Sequence, residues 1–248
     1  MSQHVPAGRA RERFRWPAFL VATVEILLVG HSVAGAQTRD PTPAEQALVD
    51  RFSNVVGGVL DQFGSDDWTE KVTQTMEGAS VAVKPDRPLQ AGLLERSYEA
   101  RRDSARWNTL IWPYADIVTG GKASPQDMAK AGKQMNSLMH VHVSATFNDR
   151  FSALNLAKDA EIKVAGAARV FLDAHPTRYD EPGVVLLFSG AGPGRWVNAD
   201  GGLRFEFANP PRSVVIENIQ IRISGAKDRI DQLLSRIDWR KIDGALGR

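Results

Sequence analysis

The chain has 248 residues, 43% of them hydrophobic and 24% charged, with a formal net charge of +2 and no cysteine. That mixture belongs to a globular protein able to bury a core without staples. It excludes collagen, a disulfide-stapled mini-protein and a polytopic membrane protein.

Residues 1–36 read as a cleavable secretory signal peptide. Arg9, Arg11, Arg13 and Arg15 form a positive leader, an apolar stretch follows from about Phe19 to Val33, and Ala34-Gly35-Ala36 supplies small residues before Gln37. Glu25 within the apolar stretch makes a permanent membrane span costly, so no transmembrane span is expected after cleavage. The leader's four arginines and two glutamates account for the whole positive excess, and the mature chain, residues 37–248, is formally neutral. A nucleic-acid partner is therefore not expected. The absence of cysteine fits an oxidising compartment, periplasmic or extracellular.

Thr42-Pro43-Ala44-Glu45 has the residues of a capping box, and Leu48, Phe52, Val55, Val56, Val59, Leu60 and Phe63 recur at helical spacing up to Gly64. A second helix is predicted from Ser65 to Gly78 on Trp68, Val72 and Met76. A third is predicted from about 89 to 102 on Leu93, Leu94 and Tyr98, with Glu95, Arg96, Glu99, Arg101 and Arg102 outward. Residues 104–121 crowd apolar side chains around Pro113 without a clear period. Ser124-Pro125-Gln126-Asp127 caps a further helix carrying Met128, Ala131, Met135, Leu138 and Met139.

The period then changes to two. Val141, Val143, Ala145 and Phe147 alternate with His140, His142, Ser144 and Thr146. Residues 162–172 read as one long strand and 184–188 as a buried one. Arg195 to Val197 and Leu203 to Phe207 form a hairpin around Asn198-Ala199-Asp200-Gly201-Gly202, and Ser213 to Ile223 is the final strand. Ile230, Leu233, Leu234 and Ile237 then mark one stripe of a C-terminal amphipathic helix, about 226–242. It is expected to pack on Val215, Ile219, Ile221 and Ile223. The expected fold class is α+β in one mature domain: a helical part at about 42–138, an antiparallel meander of five or six strands at about 139–224, and the C-terminal helix on the sheet.

Chemistry is sparse. His140 and His142, two apart on a strand, project from one face, and with His175 they form a candidate zinc or copper site. Asp149, Asp173, Met135 and Met139 are further donors. Ser189-Gly190-Ala191-Gly192-Pro193-Gly194-Arg195 has alternate glycines, but no helix follows, so it reads as a connection in which Arg195 could meet an anion. No Gly-x-Ser-x-Gly elbow is present. Neighbouring acids such as Asp66 and Asp67 read as helix first-turn charges. Trp107, Trp112 and Tyr114 read as buried aromatics.

The expected function is that of an exported, non-catalytic envelope protein binding a ligand or an envelope partner, an apolar small molecule or lipid being one candidate. A zinc- or copper-binding protein using the His140/His142 pair and a hydrolase with dispersed carboxylates are the alternatives.

Overall fold

The computed structural model of the protein describes residues 38–65, 67–74, 81–82, 89, 94–152, 154–155, 159–167, 169–173, 183–208 and 214–247. The leader, His175 and the Asn209-Pro210-Pro211 turn lie outside the described residues.

A two-stranded ladder, β1 (Thr38–Arg39) with β3 (Val81–Ala82), stands beside the first helix, α1 (Pro43–Leu60). The Thr42 hydroxyl accepts from the Glu45 amide while the Glu45 carboxylate accepts from the Thr42 amide at 2.7 Å, closing the expected capping box. The helix tightens into a 3-10 turn over Asp61–Phe63 before Gly64. Its buried stripe, Leu48, Phe52, Val56, Val59 and Leu60, lies on the sheet core.

The main sheet has seven strands, all antiparallel. In chain order they are β2 (Trp68–Gln74), β4 (Leu94–Ala100), β5 (His140–Phe147), β7 (Ala160–Ile162), β8 (Arg169–Asp173), β9 (Gly183–Ser189) and β12 (Asn218–Gly225). In space they run β2-β4-β5-β12-β9-β8-β7. A smaller sheet joins β6 (Phe151–Ser152) to the hairpin β10 (Arg195–Ala199) and β11 (Gly202–Glu206). That hairpin forms as its residues dictate: Asp200 and Gly201 both have positive φ, 50° and 80°, the pair a type I′ turn requires.

Between β4 and β5 a π-helical turn at Trp107–Ile111 leads into α2 (Trp112–Thr119), and α3 (Pro125–Met139), capped by Ser124, packs back on it. After β12 come α4 (Lys227–Arg236) and a 3-10 segment at Trp239–Gly244. The sheet face made by Val141, Val143, Ala145, Phe147, Ile219, Ile221 and Ile223 is buried under α1, α4 and this last segment in one apolar cluster. On the opposite face Phe171, Val185 and Leu187 join Leu154 and Leu203 in a smaller cluster, with Trp196 against it.

The α+β class, the antiparallel sheet and the C-terminal helix are as the sequence predicts, and four details differ. The segments read as a second and a third helix hold strands β2 and β4, so the helical and sheet parts interleave. Leu94 and Tyr98 fit either period, and the inward position between them is filled by Arg96, whose charge hides the alternation. Its guanidinium is paired with Asp61 at 2.5 Å. The long strand at 162–172 is two strands, because Gly166, at φ 85°, turns the chain against Arg240, where a Cβ would come within 2.7 Å of the backbone nitrogen. Instead of continuing a meander, β12 inserts between β5 and β9 and pairs with both. It also starts at Asn218, which leaves Val215 before the strand and places Ile216 in the core.

Among the described residues no helix is long and apolar enough to cross a membrane.

Candidate functional site

The histidine pair comes first because the strand period sets it. His140 and His142 lie on the face of β5 opposite the core, half-buried, with ring centroids 6.0 Å apart and planes inclined at 23°. Backbone pairing puts Glu99 beside His140, and Ser97 and Ser224 on either side of His142. The Ser97 hydroxyl and His142 Nδ1 are hydrogen-bonded at 2.8 Å. Burial pushes both imidazoles below their ordinary value. His140 lowers His142 further, while the Glu99 charge acts in the opposite direction on His140. The strand end is held by Gly225, at φ 120°, where a Cβ would sit 2.1 Å from the His140 carbonyl oxygen, and by the Ala226 amide, which donates to that oxygen at 2.8 Å.

Of the other donors considered with this pair, His175 and the Asp173 side chain lie outside what is described, and Asp149, Met135 and Met139 go elsewhere. Asp149 accepts from the Thr146 hydroxyl at 2.6 Å, and Thr146 is four residues along β5 from His142, or about 13 Å of strand. Met139 and Met135 belong to the apolar cluster. Among the described residues no group of three or more His, Asp or Glu is arranged to hold a metal. Ser97 and His142 make the contact a nucleophile and its base would make, but Glu99 faces His140 and not the base, so the orienting carboxylate of a catalytic triad is not supplied by this ladder. A cross-strand polar pair describes it better.

The glycine-rich connection between β9 and β10 packs tightly. A Cβ on Gly194 would meet the Glu217 carboxylate at 2.7 Å and the Phe205 ring at 2.8 Å. Arg195 lies 3.6 Å from Glu206. Of the three aromatics at 107–114, Trp107 is buried with Arg102 over its ring, Tyr114 is half-buried, and Trp112 is 55% exposed.

A second constellation was not legible in any one stretch of sequence. Trp68 opens β2, Arg106 precedes the π turn, and Arg229, Gln232 and Arg236 lie at i, i+3 and i+7 on one face of α4. With Ser65, Asp67 and Asp228 they wall a recess of about 440 Å³. Arg106 donates to the Leu138 carbonyl at 3.0 Å and to both Asp228 oxygens, which holds the Asp228 carboxyl below its ordinary value. Arg229 donates to the Phe63 carbonyl at 2.6 Å and to the Gln232 side-chain oxygen. Both guanidiniums lie against the Trp68 ring, 4.9 Å and 5.9 Å from its centroid. Arg229 is 6% exposed, and burial together with the cations Arg236 and Arg106 lowers its proton affinity. The helical period names Arg229, Gln232 and Arg236 as the polar face of α4. That they converge with residues more than a hundred positions earlier is a product of the fold.

A second recess of about 390 Å³ lies around Thr69, Lys71, Glu99 and Arg101–Asp103. Lys71 pairs with Glu99 at 3.4 Å and Arg101 with Asp103 at 2.7 Å, while Arg102, exposed, lies over the Trp107 ring.

Comparison with protein families, curated proteins and solved structures finds no match to this chain.

Proposed function

We propose that this chain is an exported, non-catalytic protein that binds a ligand, and that the ligand sits in the recess between Trp68, Arg106, Arg229 and Arg236. The observation that carries the reading is the convergence of three arginines, one just before the π turn and one near each end of α4, around a recess of about 440 Å³, a volume within the range of small-molecule sites. The leader at residues 1–36 supports export to the periplasm or beyond, and the neutral mature chain argues against a nucleic-acid partner. The walls of this recess are largely charged, which favours a polar ligand over the apolar molecule or lipid that the many apolar strand positions suggested.

Mass spectrometry of the protein purified from the exported fraction, under native and then denaturing conditions, tests the reading. A small molecule released on denaturation from wild type, and depleted in Arg236→Gln, supports it. A preparation that carries none, and whose thermal midpoint no small polar compound moves, refutes it. The metal-binding alternative needs His140, His142 and His175, and the zinc and copper content of the same preparation decides it: loss of metal in both His140→Ala and His142→Ala would establish that site.

A further inference from the structure

Resting on the recess as the binding site, we infer that its ligand is an organic oxyanion, a carboxylate or a phosphate monoester, held between Arg229 and Arg236. The argument is one of charge and burial. Arg106 and Asp228 satisfy each other through two hydrogen bonds, leaving Arg229 and Arg236 against Asp67, one positive charge in excess. Arg229 is 6% exposed, and the acceptors its guanidinium finds, the Phe63 carbonyl and the Gln232 amide oxygen, are neutral. A guanidinium withdrawn from water and bonded to neutral acceptors is costly; the Asp67 and Asp228 charges offset part of that cost through space, and an anion entering the recess relieves more of it. The planar fork of a guanidinium matches the paired oxygens of a carboxylate or phosphate. The neighbouring recess, with Lys71, Arg101 and Arg102 against Glu99 and Asp103, has the same excess of one positive charge, but its cations are exposed and water solvates them, so it is the burial of Arg229 that sets the first recess apart. The recess, about 440 Å³, leaves room for an organic body beyond the anionic group.

Calorimetric titration of the purified full chain at constant ionic strength is the test, with glycerol 3-phosphate, succinate and inorganic phosphate as oxyanions, glucose as the neutral probe and choline as the cation. Saturable binding of glycerol 3-phosphate or succinate is expected, tighter than that of inorganic phosphate. Whichever binds names the source of the oxyanion. Arg236 lies on the exposed last turn of α4, so Arg236→Gln is expected to keep the unliganded thermal midpoint and to weaken binding at least about tenfold. Arg236→Lys, which keeps charge but loses the fork, is expected to recover part of the affinity. Glucose or choline binding in an Arg236-sensitive manner, with the oxyanions inert, would overturn the oxyanion while leaving the recess as the site. Oxyanion binding that Arg236→Gln leaves unchanged would place the anion elsewhere and overturn the inference. If no probe binds, both readings fall.

Discussion

At the scale of single residues, the apolar stripe of α4 separates two adjacent leucines that composition cannot. Leu233 is 2% exposed, whereas Leu234 falls at the rim of the stripe, half-buried, and its carbonyl accepts from the Trp239 indole at 3.3 Å. The sequence predicts both as inward, because the helical period defines a stripe but not how far the sheet reaches beneath it. Leu233→Ala is expected to cost about 2 to 5 kcal/mol, and Leu234→Ala less than half as much. Urea unfolding of the two variants checks this, and equal losses would contradict it. The histidines give a pH dependence. Both are held below the ordinary value of 6.5 in the folded chain, so on acidification the unfolded chain takes up protons first. Stability is therefore full above about pH 6.5 and falls below it, by up to about 1.4 kcal/mol per pH unit for each histidine. Between pH 7.5 and 5.5, ahead of most carboxylate titration, His142→Gln is expected to make that decline shallower. An unchanged slope would show that the imidazole is not the group responsible.

At the scale of elements, those with strong local signals were legible: α1 and α3 from their caps, β5 from its alternation, the β10–β11 hairpin from Asp200-Gly201. Strands β2 and β4 were not, since the sheet accommodates Arg96 at an inward position by pairing it with Asp61 and, at 3.8 Å, with Glu70, contacts that local sequence does not announce. The same misreading hid Ser97: as a helix residue it has no relation to His142, and as a strand residue it is its register partner. The junction of β12 with α4 shows how closely elements are fitted. Gly225 combines a φ of 120° with a Cβ position 2.1 Å from the His140 carbonyl oxygen, so any side chain there forces β5 and β12 apart. Gly225→Ala is expected to lower stability by more than about 2 kcal/mol and to perturb both histidine ring signals in NMR spectra. Wild-type stability in this variant would mean the junction is more forgiving than its geometry.

At the scale of the whole molecule, the class could be read from sequence because periodicity reports which residues face a core. The strand order and the arginine recess could not, because both depend on segments far apart in the chain. The C-terminal end is part of this long-range structure. Trp239, Ile242 and Leu246 are buried, the Gly247 amide donates to the Ile216 carbonyl at 2.8 Å, and Arg51 on α1 donates to the carbonyls of Gly244 and Leu246. A chain ending at Asp238 is expected to lose its cooperative thermal transition, read by calorimetry, and an unchanged transition would show that residues 239–247 only decorate the core. The position of β12 has a consequence in time as well as space. Among the described residues, strands β2, β4 and β5 on one side, and β7, β8 and β9 on the other, share no ladder except through residues 218–225. A ribosome releases those residues after every other strand of the main sheet, and until they emerge each half presents an open strand edge. Closure of the sheet thus waits for its last-made strand, and refolding from denaturant is expected to be slower than that of a helical domain of equal length.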